Sequence, residues 1–300
     1  MTGGVTGRDG DTATLLRGCG LDPHEVGRLV RTALDEDLRD GPDATTRATV
    51  PAEATATARF AARASGVLAG VPVALAVLDA VLGEDVRVLA RHDEGGSLAA
   101  GQAALVVRGP VRGLLTAERT ALNLLCHLSG IATATAAWVT AVAGTGCRIR
   151  DSRKTLPGLR SLQKYAVRAG GGCNHRMSLG DAVLIKDNHV HASGSVGAAL
   201  AAARRRAPGL ACEVEVDNLD QLGEALDAGA DEVLLDNFPV EACAEAVRRR
   251  DAMSPGTWLE ASGGLGLDRA GEYAATGVDY LAVGALTHSA PALDLGMDLT

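Results

Sequence analysis

ACEVEVDNLDQLGEALDAGADEVLLD, residues 211–236, decides the fold. Its two ends, Ala211–Val216 and Glu232–Leu235, are short and aliphatic and read as strands. Between them Leu219–Ala228 repeats its apolar residues at helical spacing, and Gly229 stands where a helix stops. A helix linking two strands makes them parallel, because a hairpin needs no crossover. The joint recurs: Ala228-Gly229-Ala230-Asp231 precedes one strand and Thr276-Gly277-Val278-Asp279 another.

Working outward, four more short runs read as strands: Cys147–Asp151, Ala182–Ile185, Thr257–Glu260 and Tyr280–Val283. Helical stretches separate them at Leu159–Ala169, Val196–Arg206, Pro239–Arg250 and Leu267–Thr276. Right-handed crossovers curl such a sheet, so the repeated unit favours an α/β barrel. The strand count is six, short of the common eight. Either two strands are absent or they are merged into Leu114–Val142, which reads as a long helix interrupted at Ser129-Gly130.

Every strand runs out into charged residues or glycine: Ser152-Arg153-Lys154, Lys186-Asp187-Asn188-His189, Glu215-Val216-Asp217, Asp236-Asn237, Ser262-Gly263-Gly264 and Gly284. In α/β barrels that C-terminal rim carries the chemistry. The segment 150–190 holds eight Lys/Arg against three acids, including all three lysines of the chain, Lys154, Lys164 and Lys186. The whole chain has a formal net charge of −8. A cationic island in an acidic protein suits small polyanions. Ser262-Gly263-Gly264 with Gly284 is a plain turn or a phosphate cradle, and its place on the last two strands favours the cradle. Glu215 and Asp236 end adjacent strands. They could bind ribose hydroxyls, hold Mg²⁺ through water, shield a developing cation, or simply pair with neighbouring lysines. His175 and Arg176 come after a glycine run. The bland reading puts them on the surface; the basic clusters nearby favour an anion site. Cys173 beside them reads as a small filler.

The first half is different. Asp22-Pro23 starts a helix whose Val26, Leu29, Val30, Ala33 and Leu34 share a face. Residues 35–46 read as a solvated loop. A strand over Thr55–Ala69, a helix over Val71–Leu82, and strands at Val86–Ala90 and Ala103–Val107 suggest an α+β sandwich. Residues 1–14 lack an apolar signal core and read as a flexible tail. No run of 18 apolar residues marks a membrane span, and the acidic balance argues against a nucleic-acid binder. Six scattered cysteines without a CxxC pair read as reduced thiols of a cytoplasmic protein.

DSRKTLPGLR, GGCNHR, LIKDNHV, EVEVDN, VLLDNF, EASGG and VGALTHS occur in this order. Together with AERTALNLLCHLSGIAT and ALDEDLRDGPDATT, they closely resemble the quinolinate phosphoribosyltransferase family over roughly residues 30 to 290. Ser152 stands where that family has threonine, and Cys173 replaces a glycine-rich position. The resemblance implies an incomplete six-stranded α/β barrel over 119–287 and an N-terminal α+β open sandwich over 15–118, to which 288–300 return. It implies a homodimer with the active site shared across the interface, and phosphoribosyl transfer from 5-phosphoribosyl-1-pyrophosphate to quinolinate with Mg²⁺. Arg119 (from across the interface), Arg153, His175, Arg176 and Lys186 would hold quinolinate. Lys154 would lie near ribose and pyrophosphate, Glu215 and Asp236 at the ribose, and Ser262, Gly263, Gly264, Gly284 and His288 at phosphate. Two alternatives stand beside it: a paralogue acting on another aromatic acid, of the molybdenum-transport-associated type, and a non-catalytic phosphosugar-binding protein.

Overall fold

The computed structural model describes residues 11–300. Most of the expected tail, residues 1–10, lies outside the described residues. Its last part is not tail: Asp11 accepts a hydrogen bond from the Ala13 N–H and caps helix α1 (Thr12–Gly18), which buries Leu16. Helices α2 (Pro23–Asp37) and α3 (Ala44–Thr49) come next, so the polar segment 35–46 is a short loop between two helix ends. Then come β1 (Thr55–Ala62), β2 (Gly66–Val67), α4 (Val71–Leu82), β3 (Arg87–Arg91), β4 (Ser97–Leu98), β5 (Ala103–Pro110) and α5 (Val111–Ala141). The remainder runs β6 (Arg148–Arg150), α6 (Arg160–Ala169), β7 (Val183–Ile185), α7 (Asp187–Ser193), α8 (Val196–Arg206), β8 (Cys212–Val216), α9 (Leu219–Asp227), β9 (Glu232–Asp236), α10 (Val240–Met253), β10 (Trp258–Ser262), α11 (Ala270–Ala274), β11 (Tyr280–Ala282), α12 (Ala285–His288) and β12 (Leu295–Leu299).

Two compact units result. The first comprises residues up to 134, 157–171 and 289–300; the second 135–156 and 172–288. The first unit is built on an antiparallel sheet in the order β12-β1-β5-β3, with Phe60 opposite Leu105 on one side and Met297 on the other. Helix α4 starts on Glu94, whose carboxylate accepts from the Gly70 and Val71 N–H groups. Helix α5 is unbroken, so neither the interruption at Ser129-Gly130 nor a pair of merged strands exists. Ser129 both accepts from and donates to the Ala69 backbone, and a Cβ at Gly130 would lie 2.1 Å from the Pro291 carbonyl oxygen. Small residues here admit close packing rather than end the helix. By length and composition alone α5 could cross a membrane. Its apolar face is instead core: Leu114, Ala117, Ala121, Leu125, Leu128 and Ile131 are fully buried, at the spacing of one helix face.

The boundary expected at 118/119 falls inside α5, and the division between the two units lies later in the same helix, at 134/135. Helix α6, read as a barrel helix, belongs to the first unit. Its Gln163 side-chain nitrogen meets His127 of α5 at 2.9 Å, and Arg168 donates to the Cys19 carbonyl.

The second unit is an all-parallel sheet ordered β6-β11-β10-β9-β8-β7. Among the described residues β6 and β7 do not pair with each other, so the barrel is incomplete; a single bridge from Arg150 to Cys173 extends the β6 edge. Val214, Val216, Val233, Leu235, Leu259 and Leu281 are buried. In β8, β9 and β10 the alternate positions carry Glu213 and Glu215, Glu232 and Asp236, and Glu260 and Ser262. A parallel sheet with both faces covered is normally apolar throughout, so these five acids on one set of alternate positions mark the interior as partly polar.

Candidate active site

A cavity of about 510 Å³ opens at the C-terminal rim of the second unit. Twelve of the thirteen expected site residues line it. Arg153 and Lys154 come from the loop after β6, His175 and Arg176 from the segment before β7, and Lys186 from the end of β7. Glu215 and Asp236 end β8 and β9, Ser262, Gly263 and Gly264 end β10, and Gly284 and His288 bracket α12. Leu184 and Leu234 supply apolar wall. The thirteenth, Arg119, is an exposed residue of α5 in the first unit.

Two of the cationic residues keep a buried donor unspent. The buried Nε atoms of Arg153 and Arg176 meet no hydrogen-bond acceptor. Arg176 donates from Nη1 to the Ala182 carbonyl at 3.1 Å, and its ionisation is pulled below the ordinary range by burial and then by Arg153. Two neighbouring guanidiniums, each with a buried donor unspent, form a receptor for anions. Lys186 Nζ lies 2.5 Å from Glu215 Oε2 at the cavity mouth. One oxygen of Asp236 accepts from the Asn237 side-chain amide at 2.8 Å.

His175 lines the cavity with its ring tied to protein. Its Nε2 lies 2.7 Å from Glu213 and its Nδ1 accepts the Arg176 N–H. Both ring nitrogens thus face protein, so the ring forms wall and positions Arg176. Asp151, fully buried, accepts the His175 N–H at 2.9 Å and an Asn174 side-chain N–H. It is a residue the strand-end reading missed.

Below the cavity lies a second missed feature. Arg150 reaches Glu232 and Glu260, and its guanidinium stacks 3.7 Å from the Tyr280 ring centroid. Glu213 and Glu260 each keep a buried oxygen without a partner. Burial, then Glu232, pushes Glu213 up to about 8; burial, then Glu213, does the same to Glu260. The signal was available in CEVEV and WLEAS: a glutamate inside a buried parallel strand. His175, Glu213 and Glu260 also bring three ligand atoms within 4.8 Å of one another. Arg150 holds one oxygen of Glu260 and leaves the other without a partner, on the floor of the cavity that Glu260 lines.

The glycine turn has the conformation a cradle needs. Gly263 and Gly264 have φ of +96° and +59°, a region side chains disfavour. Gly284 is small for another reason: a Cβ there would meet the Lys154 side chain at 3.0 Å and His288 and Ser152 at 3.4 Å. Gly284→Ala should therefore displace Lys154 without unfolding the chain. We expect about a tenfold loss in kcat/KM at unchanged Tm, checked by steady-state kinetics beside calorimetry.

The C-terminal domain of quinolinate phosphoribosyl transferase matches residues 131–298, and the N-terminal domain of the same family matches 43–129. A protein of Mycobacterium leprae (strain TN) named nicotinate-nucleotide pyrophosphorylase [carboxylating] is 61% identical over 271 residues, 90% of this chain and 95% of that one. The Homo sapiens protein of the same name is 39% identical over 283 residues, 93% of each. The NadC crystal structure from Streptococcus pyogenes superposes with a TM-score of 0.88 at 39% identity, covering 93% of this chain and 98% of the other. With both of its domains matched and the cationic rim assembled around one cavity, the chain belongs to the quinolinate phosphoribosyltransferase family.

Proposed function

We propose that the chain transfers the phosphoribosyl group of 5-phosphoribosyl-1-pyrophosphate to quinolinate with loss of CO₂, giving nicotinate mononucleotide and pyrophosphate. The observation that carries this is the unspent Nε donors of the neighbouring Arg153 and Arg176 guanidiniums beside the carboxylates of Glu215 and Asp236 in one cavity. A dicarboxylate and a polyphosphate need the first set; a ribose that becomes cationic as pyrophosphate leaves needs the second.

In this reading Arg153, Arg176 and Lys186 orient quinolinate, with His175 as the wall that sets Arg176. Lys154 faces the pyrophosphate, and Glu215 and Asp236 take the ribose hydroxyls and offset the oxocarbenium charge. The Ser262–Gly264 turn, Gly284 and His288 receive the 5′-phosphate. Ribosylation leaves the ring nitrogen cationic, which draws in the electron pair released with CO₂, so no covalent nucleophile is required. Catalysis is positioning plus electrostatics. Glu215 and Asp236 each have one oxygen engaged by protein, which fits Mg²⁺ held through water and substrate phosphates rather than by a protein cage. That ion would supply charge neutralisation on the leaving pyrophosphate. Incubating the protein with quinolinate, phosphoribosyl pyrophosphate and Mg²⁺ should yield nicotinate mononucleotide; its absence would remove the proposal.

The same reading makes the protein a cytoplasmic homodimer in which Arg119 acts in the partner's site. Subunits carrying Arg119→Ala and Lys154→Ala, each inactive alone, should then recover about a quarter of wild-type activity when exchanged at equal ratio, since half the dimers hold one intact site. No recovery after mass spectrometry has verified exchange would separate Arg119 from the site.

A further inference from the structure

Asn237 is the single non-glycine residue with positive φ among the described residues, at +56°. Asparagine tolerates that region better than most side chains, yet the position still costs free energy unless something holds it. Three contacts hold it. Its backbone N–H donates to the Ser262 carbonyl at 2.8 Å. Its amide nitrogen donates to Asp236 Oδ2 at 2.8 Å. Its amide oxygen lies against Gly263, 2.2 Å from where a Cβ would stand. Asp236 and Gly263 line the cavity, whereas Asn237 lies behind them, on the wall of the neighbouring surface pocket with Asp217 and Asp220.

We propose that Asn237 is a positioning residue, a strut that ties the Asp236 carboxylate to the Gly263 turn and so fixes the span between the ribose acid and the phosphate cradle. The strut explains why β9 ends in a left-handed asparagine and why Gly263 has no side chain. It rests on the function proposed above, because the span matters only if one phosphoribosyl group bridges it.

The test compares wild type with Asn237→Gly and Asn237→Asp. Glycine keeps the backbone conformation and removes the amide. Asn237→Gly should keep the wild-type Tm and the KM for quinolinate within about twofold, while kcat/KM for phosphoribosyl pyrophosphate falls about tenfold. Asn237→Asp keeps the side-chain shape but replaces the amide donor by a carboxylate set against Asp236, so it should lose at least as much kcat/KM for phosphoribosyl pyrophosphate, with the KM for quinolinate again within about twofold. Asn237→Gly kinetics equal to wild type would overturn the strut. So would equal losses for both substrates with a lowered Tm, which mark a merely structural role, or an Asn237→Asp variant with wild-type kinetics. If Asn237→Gly fails to fold, the Asn237→Asp kinetics decide alone. A wild type that makes no nicotinate mononucleotide would instead sink the functional reading, and the strut with it.

Discussion

Lys154→Ala should lower kcat about a thousandfold while leaving the unfolding transition in place. The residue is exposed, and what the fold uses of it is backbone: its N–H donates to Ser152 Oγ at 3.1 Å, and its carbonyl accepts from Thr287 Oγ1 at 2.8 Å. Both survive truncation. What disappears is an ammonium placed past the bare Cα of Gly284, where the proposed pyrophosphate leaves. Stopped reactions analysed for nicotinate mononucleotide give kcat, and calorimetry gives Tm. Near-normal kcat would strip Lys154 of its role; a collapsed Tm would make it structural.

Arg150→Ala should be the most damaging single change to stability, costing about 3–5 kcal/mol at pH 8. It strands Glu232 and Glu260 inside the barrel and removes the cation stacked on Tyr280. The pH dependence has a definite sign. Glu213 and Glu260 sit near 8 in the fold against an ordinary 4.5, so folding takes up protons. Their contribution favours the fold below that ordinary value and is withdrawn as pH rises toward 8. Without Arg150 the cation that most offsets that charge is gone, leaving only Arg176 beside Glu213 and His175 beside Glu260. The variant should lose markedly less at pH 5.5 than at pH 8 in urea unfolding followed by tryptophan fluorescence. Equal losses at both pH values would mean the floor holds no titrating carboxyl.

Much of this was legible in the chain. The parallel unit announced itself in 211–236, because a strand, a helix ended by glycine and a second strand admit one topology. The rim residues were legible because their charge interrupts aliphatic runs at the strand ends. Arg150, Glu213 and Glu260 were not singled out, because strand-interior acids look like errors of register until their partners are seen on other strands. The continuity of α5 was hidden by Ser129-Gly130, whose small size serves the packing of residues 291–292, far off in sequence. Helix α6 was misassigned for a related reason: its spacing gave its form, while its allegiance depends on His127 and Cys19.

The sheet of the first unit closes on β12, which pairs along β1 from Ala58 to Ala62. Those strands lie near opposite ends of the polypeptide. While the protein is being synthesised, the outer edge of β1 must wait, unpaired, for nearly the whole remaining length to emerge. The ribosome therefore holds a half-built platform with an open margin throughout translation, and a message truncated ahead of Leu295 would release a chain prone to self-association through that margin.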